Sequence, residues 1–402
     1  MTGLPRSPLP ILAALLLLAI ACRPPGALEA AAQAAQAPVP QSPPPDDVIG
    51  RVRGTLTPEQ RVGQLLMVGL RSGADDAEAA QTHAAITSAH AGNVVLYGSG
   101  WDSSALVAAT TRALQQRARD ANAGVGLFIS GNQEGGQQGA FQAFYGEGFS
   151  PMPSAIAQAQ GDPARLQEQA RVWGVELRDA GVNLNLAPVL DVVPPGTAAT
   201  NAPIGYWGRE YGFTPEDVMA YGVAFARGMR AAPVAVSVKH FPGLGRVRGN
   251  TDFTAEGIVD DQFSGADDPY LQPYRAAIQD GVELVMVSLA VYPRVDSRQA
   301  VFSPVIMRDI LRQQLGFRNV VISDDVGAAV AVADRPPAQR ALDFFRAGGD
   351  LLLTVRASDA APMTQALLRE MAADAAFRAD LDASLERVLR LKAALGLLPA
   401  AP

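Results

Sequence analysis

Short apolar runs recur along this chain, and stretches of helical period separate most of them. The runs lie at residues 65–70, 93–97, 126–130, 182–187, 234–239, 283–289, 319–323 and 350–355. Most are continuously apolar rather than alternating, which predicts strands covered on both faces, as in a parallel sheet. Helix signals stand between them. Thr57 precedes Pro58, and Gln60 follows three residues on, the pattern of a capping box with proline in the first turn. Thr214-Pro215-Glu216-Asp217 opens a second helix. Ser303-Pro304 opens a third, with Met307, Leu311 and Leu315 on one face and Gly316 as its stop. A last helix is expected over residues 380–395. Eight strands alternating with amphipathic helices predict an α/β chain folded as a (β/α)8 TIM-type barrel. The barrel would be a single domain over residues 49–400, with no second sandwich domain. An open doubly wound sheet competes with this reading, but no Gly-x-Gly-x-x-Gly turn follows the first strand to support its dinucleotide-binding form.

In such a barrel chemistry gathers at the carboxyl ends of the strands. Polar residues fall there in this chain. The fifth strand ends in Lys239-His240-Phe241-Pro242-Gly243, a cation and an imidazole running into a turn. The seventh ends in Ser323-Asp324-Asp325. Asn132, Gln133 and Glu134 follow the third strand, and Asp191 follows the fourth. One polar strand end means little, but four converging on one rim predict a site.

The net charge is −7 and no basic run is present, which argues against a nucleic-acid partner. The single cysteine, Cys22, excludes disulfides within the chain and a cysteine-based zinc site, and His83, His90 and His240 lack metal-ligand spacing. No metal and no organic cofactor are expected. Cys22 closes an apolar leader. Arg6 gives a basic start, and residues 9–21 have the length of a signal-peptide core. Leu18-Ala19-Ile20-Ala21-Cys22 resembles a bacterial lipobox, with Ala19 where leucine is usual and Leu18 one position further back. Residues 1–22 are therefore expected to be a lipoprotein signal peptide with Cys22 as the lipid attachment site, on the outer face of the bacterial cell membrane. Cleavage as an ordinary signal peptide is the alternative. Residues 23–48, rich in Ala, Pro and Gln, read as a disordered tether.

Taken together, Gln133-Glu134-Gly135-Gly136, Ala187-Pro188-Val189-Leu190-Asp191-Val192, Lys239-His240-Phe241-Pro242-Gly243, Ser323-Asp324-Asp325 and Ala347-Gly348-Gly349-Asp350 resemble glycoside hydrolase family 3 in order and spacing. The likeness is to its single-domain β-N-acetylhexosaminidase branch and covers roughly residues 50 to 400. It implies a retaining exo-glycosidase acting on terminal β-linked sugars, β-N-acetylglucosaminides of cell-wall glycans, with a role in peptidoglycan turnover. It also implies that Asp324 is the nucleophile, forming a covalent glycosyl-enzyme. Lys239 and His240 resemble the family's donors to sugar hydroxyls, with Lys239 also keeping Asp324 charged. Arg209 resembles an arginine that clamps hydroxyls, in a loop lengthened by Tyr206-Trp207-Gly208. Asp191 is placed with the sugar-binding set, orienting it from below; a buried carboxylate satisfying backbone donors is the alternative. Asp325 is the expected helix cap.

Three departures from the branch stand out. Its Asp-Ser-His piece, whose histidine is the acid/base, corresponds here to Asn250-Thr251-Asp252, and Leu244 replaces another histidine. Asp252 becomes the candidate acid/base, since a carboxylic acid of raised pKa can protonate a leaving oxygen; a loop aspartate facing solvent is the other reading. Asn132 stands where the branch has a sugar-binding aspartate, and Gln137 and Gln138 where it has an arginine. These departures leave two alternatives to the glycosidase: a catalytically degenerate, glycan-binding envelope lipoprotein, and an aldolase using Lys239 as a Schiff base.

Overall fold

The computed structural model describes residues 46–399. The apolar leader, Cys22 and nearly all of the expected tether lie outside the described residues. The first described helix, Asp46–Thr55, begins within the last three residues assigned to that tether.

Eight strands form one sheet: β1 (Leu66–Arg71), β2 (Asn93–Tyr97), β3 (Phe128–Gly131), β4 (Leu184–Asn185), β5 (Ala235–Phe241), β6 (Leu284–Val287), β7 (Val320–Ser323) and β8 (Leu352–Thr354). β1 to β6 each pair with the next strand in sequence, β8 pairs with β1, and every pairing is parallel. The ring closes between β7 and β8 through a parallel bridge from Ile322 to Leu351 and a 3.0 Å hydrogen bond from Ser323 N to Leu351 O. The barrel expected from the hydrophobic pattern is therefore present. All seven residues of β5 are buried, as both-face coverage requires. Each fully buried Val, Leu or Phe contributes about 2 kcal/mol of transfer free energy.

Local signals fold as the residues dictate. Thr57 accepts a hydrogen bond from Gln60 N, and the Gln60 side chain accepts one from Thr57 N, completing the capping box of helix Pro58–Gly63. Thr214 caps Pro215–Ala231 through Asp217 N. The segment opened by Ser303 is wound as a π-helix, Val305–Gln314, with Met307 and Leu311 buried and Leu315 partly so. β4 is shorter than the run predicts. Pro188 has no N–H to donate to a ladder, and the Asn185 side chain turns to the backbone of Gln133.

Lys392, on the last helix Ala375–Ala394, closes the floor of the barrel. Its ammonium donates to Gln64 Oε1 at 2.5 Å, Gly92 O at 2.8 Å and Gly126 O at 2.8 Å, and lies 5.2 Å from the Phe128 ring centroid. Burial pushes its pKa well below the lysine range. The three oxygens offset this by taking one ammonium hydrogen each.

Candidate active site

At the carboxyl ends of β3, β4 and β5 the polar residues are joined around one carboxylate, Glu134. Lys239 Nζ lies 2.6 Å from Glu134 Oε1 and donates to Asn132 Oδ1 at 3.0 Å. Arg209 grips both oxygens of Glu134, from Nε and Nη2, at 2.8 Å each, and its Nη1 donates to Pro203 O at 2.7 Å. The two cations hold Glu134 down to about 2 against a large desolvation cost. Burial pulls the Lys239 pKa down while Glu134 raises it. A carboxylate held so far below its ordinary value fixes the pair as ionic. Lys239 retains one ammonium hydrogen for a ligand, and most of Arg209's donors are engaged by protein.

The loop that carries Glu134 is built from its backbone outward. Asn185 bonds both the N–H and the C=O of Gln133 at 3.0 Å, and Glu134 N donates to Phe141 O at 2.8 Å. Gly135 turns with φ +99°, and a Cβ there would stand 2.0 Å from Pro153 O, so only glycine fits.

Asp191 is fully buried, and its contacts are with protein. Its Oδ2 lies 2.7 Å from His240 Nδ1, and its Oδ1 accepts from His240 N, Leu244 N and Tyr274 Oη at 3.1, 2.9 and 3.2 Å. Asp191 positions His240 and satisfies two backbone donors, so both sequence readings of it meet. With Nδ1 engaged, His240 Nε2 lies 3.5 Å from Arg209 Nη2.

Asp324 directly follows β7 and is half-buried. Its N–H donates to Val287 O at 3.0 Å, and its Oδ1 accepts from Asp325 N at 2.9 Å. Asp325 caps the following turn rather than a helix, accepting from Gly327 N, Ala328 N and Val355 N at 2.8–3.0 Å. Arg340 clamps the same turn from the other side, donating to Val326 O at 2.6 Å and to Gly327 O at 3.3 Å.

The loop after β5 is docked on the segment after β7. Ala331 N donates to Thr251 O at 3.1 Å and Val330 N to Asp252 O at 3.2 Å. Water reaches Asp252, yet protein crowds its carboxyl, and the pKa is pushed up to about 6. Desolvation is the main cause, with the negative charges of Asp324 and Asp325 adding to it and Arg209 and His240 opposing it. Asp252 is exposed, as a loop aspartate facing solvent would be, while its carboxyl also feels the charges of Asp324, Asp325, Arg209 and His240.

The structure thus brings Asn132, Arg209, Lys239, His240, Asp252 and Asp324 to one mouth, with Asp191 beneath. Lys239 pairs chiefly with Glu134, and Asp324 is the smallest of the influences on it. Glu134 itself, the hub of the array, was read from sequence as a polar residue at the end of the third strand and as part of the Gln-Glu-Gly-Gly piece, without a role of its own. Glu210, next to Arg209, carried no signal at all. It is buried, Oε2 meets no hydrogen-bond partner among the described residues, and burial raises its pKa to about 7.

Comparison with known proteins decides the family. The Glycosyl hydrolase family 3 N terminal domain matches residues 57–391. The chain belongs to glycosyl hydrolase family 3. The crystal structure of a β-N-acetylhexosaminidase from Beutenbergia cavernae DSM 12333 superposes with a TM-score of 0.79 at 45% identity, covering 84% of this chain and 99% of that one. A family 3 β-N-acetylglucosaminidase from Paenibacillus sp. str. FPU-7 gives a TM-score of 0.73 at 30% identity, covering 87% of this chain and 64% of that one. A β-hexosaminidase of Methylococcus capsulatus is 34% identical over 239 residues, 58% of this chain and 68% of the relative. One from Stenotrophomonas maltophilia R551-3 is 34% identical over 228 residues, 55% of this chain and 65% of the relative. The chain therefore spans about two thirds of these curated relatives. Family 3 membership makes it an O-glycosyl hydrolase acting on carbohydrate. The Schiff-base aldolase falls with it, since Lys239 Nζ is bound in an ion pair.

Proposed function

We propose that this chain is a retaining exo-β-N-acetylglucosaminidase of the cell envelope, held to the membrane by a lipid on Cys22 and acting on amino sugars of cell-wall glycans. The observation that carries the reading is a pair of carboxyl groups in unlike surroundings on two loops bonded to each other: half-buried Asp324, and Asp252 with its pKa raised to about 6. A carboxyl group able to give up a proton beside a second carboxyl group is what a double displacement needs.

In the first step an Asp324 carboxylate oxygen attacks the anomeric carbon. The bond from that carbon to the leaving oxygen breaks, and the leaving oxygen takes the Asp252 proton. In the second step Asp252 removes a proton from water, the water oxygen bonds to the anomeric carbon, and Asp324 leaves as carboxylate. Lys239 offers its remaining hydrogen, and His240 Nε2 and Asn132 their polar edges, to the hydroxyls of the bound ring. The side chains complete the reaction with water, so the reading requires no metal and no cofactor.

The relatives named above support the acetamido preference by likeness. The test is turnover of a chromogenic β-N-acetylglucosaminide and of the matching β-glucoside by the purified full chain. We expect preference for the first, release of the β-anomer by NMR, and a loss of at least ~10³-fold in kcat for Asp324→Asn. Initial release of the α-anomer, or unchanged turnover in Asp324→Asn, defeats the reading. No turnover with retained glycan binding turns it into the degenerate binding protein.

A further inference from the structure

Seven large hydrophobic side chains stand exposed among the described residues, and six of them lie on the loops that follow β4, β5 and β7. They are Tyr206, Trp207, Phe213, Phe253, Val259 and Val330; only Leu106 is elsewhere. Exposed apolar groups gathered on one rim mark a binding surface. Their arrangement is continuous with the site. The Arg209 guanidinium that grips Glu134 lies 4.4 Å from the centroid of the Phe141 ring. Phe141 packs against Trp207 with centroids 5.7 Å apart, and Trp207 against Tyr206, edge to face, at 4.9 Å. The stack runs from the buried cation outward, to Trp207 at 39% and Tyr206 at 64% exposed. Across the docked loops, Phe253 follows Asp252 and is 77% exposed, and Val330 donates its N–H to Asp252 O.

We infer that Trp207 and Tyr206, with Phe253 on the β5 loop, form an aglycone subsite that takes a second pyranose ring by stacking its apolar C–H face. Resting on the glycosidase reading, this makes a glycan of at least two sugars, rather than a glycoside with a small leaving group, the preferred ligand. Polar donors hold the first ring and specify it, whereas rings present faces that tolerate many hydroxyl patterns and add affinity. Phe141 acts as a positioning residue, carrying Trp207 on the Arg209 plane.

The test is calorimetric binding to full-length Asp324→Asn protein, so that no substrate is consumed. The probes are N,N′-diacetylchitobiose and N-acetylglucosamine, titrated with and without the added changes Trp207→Ala and Phe253→Ala. We expect the disaccharide to bind more tightly than the monosaccharide, and each aromatic substitution to cut that ratio by up to about tenfold, the scale of one aromatic contact. Quenching of tryptophan fluorescence by the disaccharide in Asp324→Asn protein, lost on adding Trp207→Ala, gives an independent readout. A ratio unmoved by both substitutions in protein of unchanged melting temperature overturns the inference, as does equal affinity for the two sugars. If the wild type hydrolyses neither glycoside yet the ratio behaves as expected, the catalytic reading fails and the subsite stands.

Discussion

Asp252 and Asp324 are the same functional group in two settings, one exposed on the β5 loop and one half-buried after β7. Asp252 is raised to about 6 by desolvation first and by the charge of Asp324 second. Its carboxyl is therefore protonated below pH 6 and loses its proton as pH rises through that value. With a poor leaving group such as a methyl glycoside, kcat/KM should fall above about pH 6. Asp252→Asn should remove that limb and slow the methyl glycoside far more than an activated aryl glycoside. A pH profile unchanged by the substitution assigns the proton to another group. Glu210 obeys the same electrostatics away from the chemistry. Its folded pKa, about 7, lies above the 4.5 of a glutamate free in water, so its favourable contribution is complete below pH 4.5 and is lost as pH rises through 7. Glu210→Gln should consequently stabilise the protein above pH 7 by up to about 3 kcal/mol and leave it little changed at pH 4.5. Denaturant midpoints at the two pH values check this.

At the scale of elements, the turn after β7 is held from both sides, by Asp325 through three backbone N–H groups and by Arg340 through two carbonyls. Asp325→Ala leaves those donors unpaired and should cost about 2 kcal/mol or more of stability. Because the turn carries Asp324, turnover should fall as well, even where the protein remains folded. Thermal melts with kinetics below the melting temperature separate the two effects. The same loops show what the sequence made legible. Lys239, His240 and Asp324 stand out because an apolar run ends in charge, a local pattern. The Thr57 capping box is equally local, and it folds as read. The centrality of Glu134 and the crowding of Asp252 were hidden because they depend on contacts between distant segments, Glu134 with Arg209 and Lys239, and Thr251 and Asp252 with Val330 and Ala331. The π-winding of Val305–Gln314 was hidden too, because its apolar spacing fits an α-helix equally well.

At the scale of the molecule, eight apolar runs separated by helices leave few closed arrangements, which is why the barrel could be read from pattern. The proposed attachment is also a whole-molecule property. Cys22→Ser in cells should move the protein from the membrane fraction to the soluble extracytoplasmic fraction while leaving turnover of a small chromogenic glycoside unchanged. Continued sedimentation of the Cys22→Ser protein with membranes argues against a lipid there. The floor of the ring carries a different consequence. Lys392 comes after all eight strands in the chain, yet its ammonium ties the Gln64 side chain and the carbonyls of Gly92 and Gly126, at the start of the ring. The base of the early strands is therefore sealed by a residue that the chain supplies only after β8. A polypeptide cut between β8 and Lys392 keeps every strand of the wall and loses all three of these hydrogen bonds at its base.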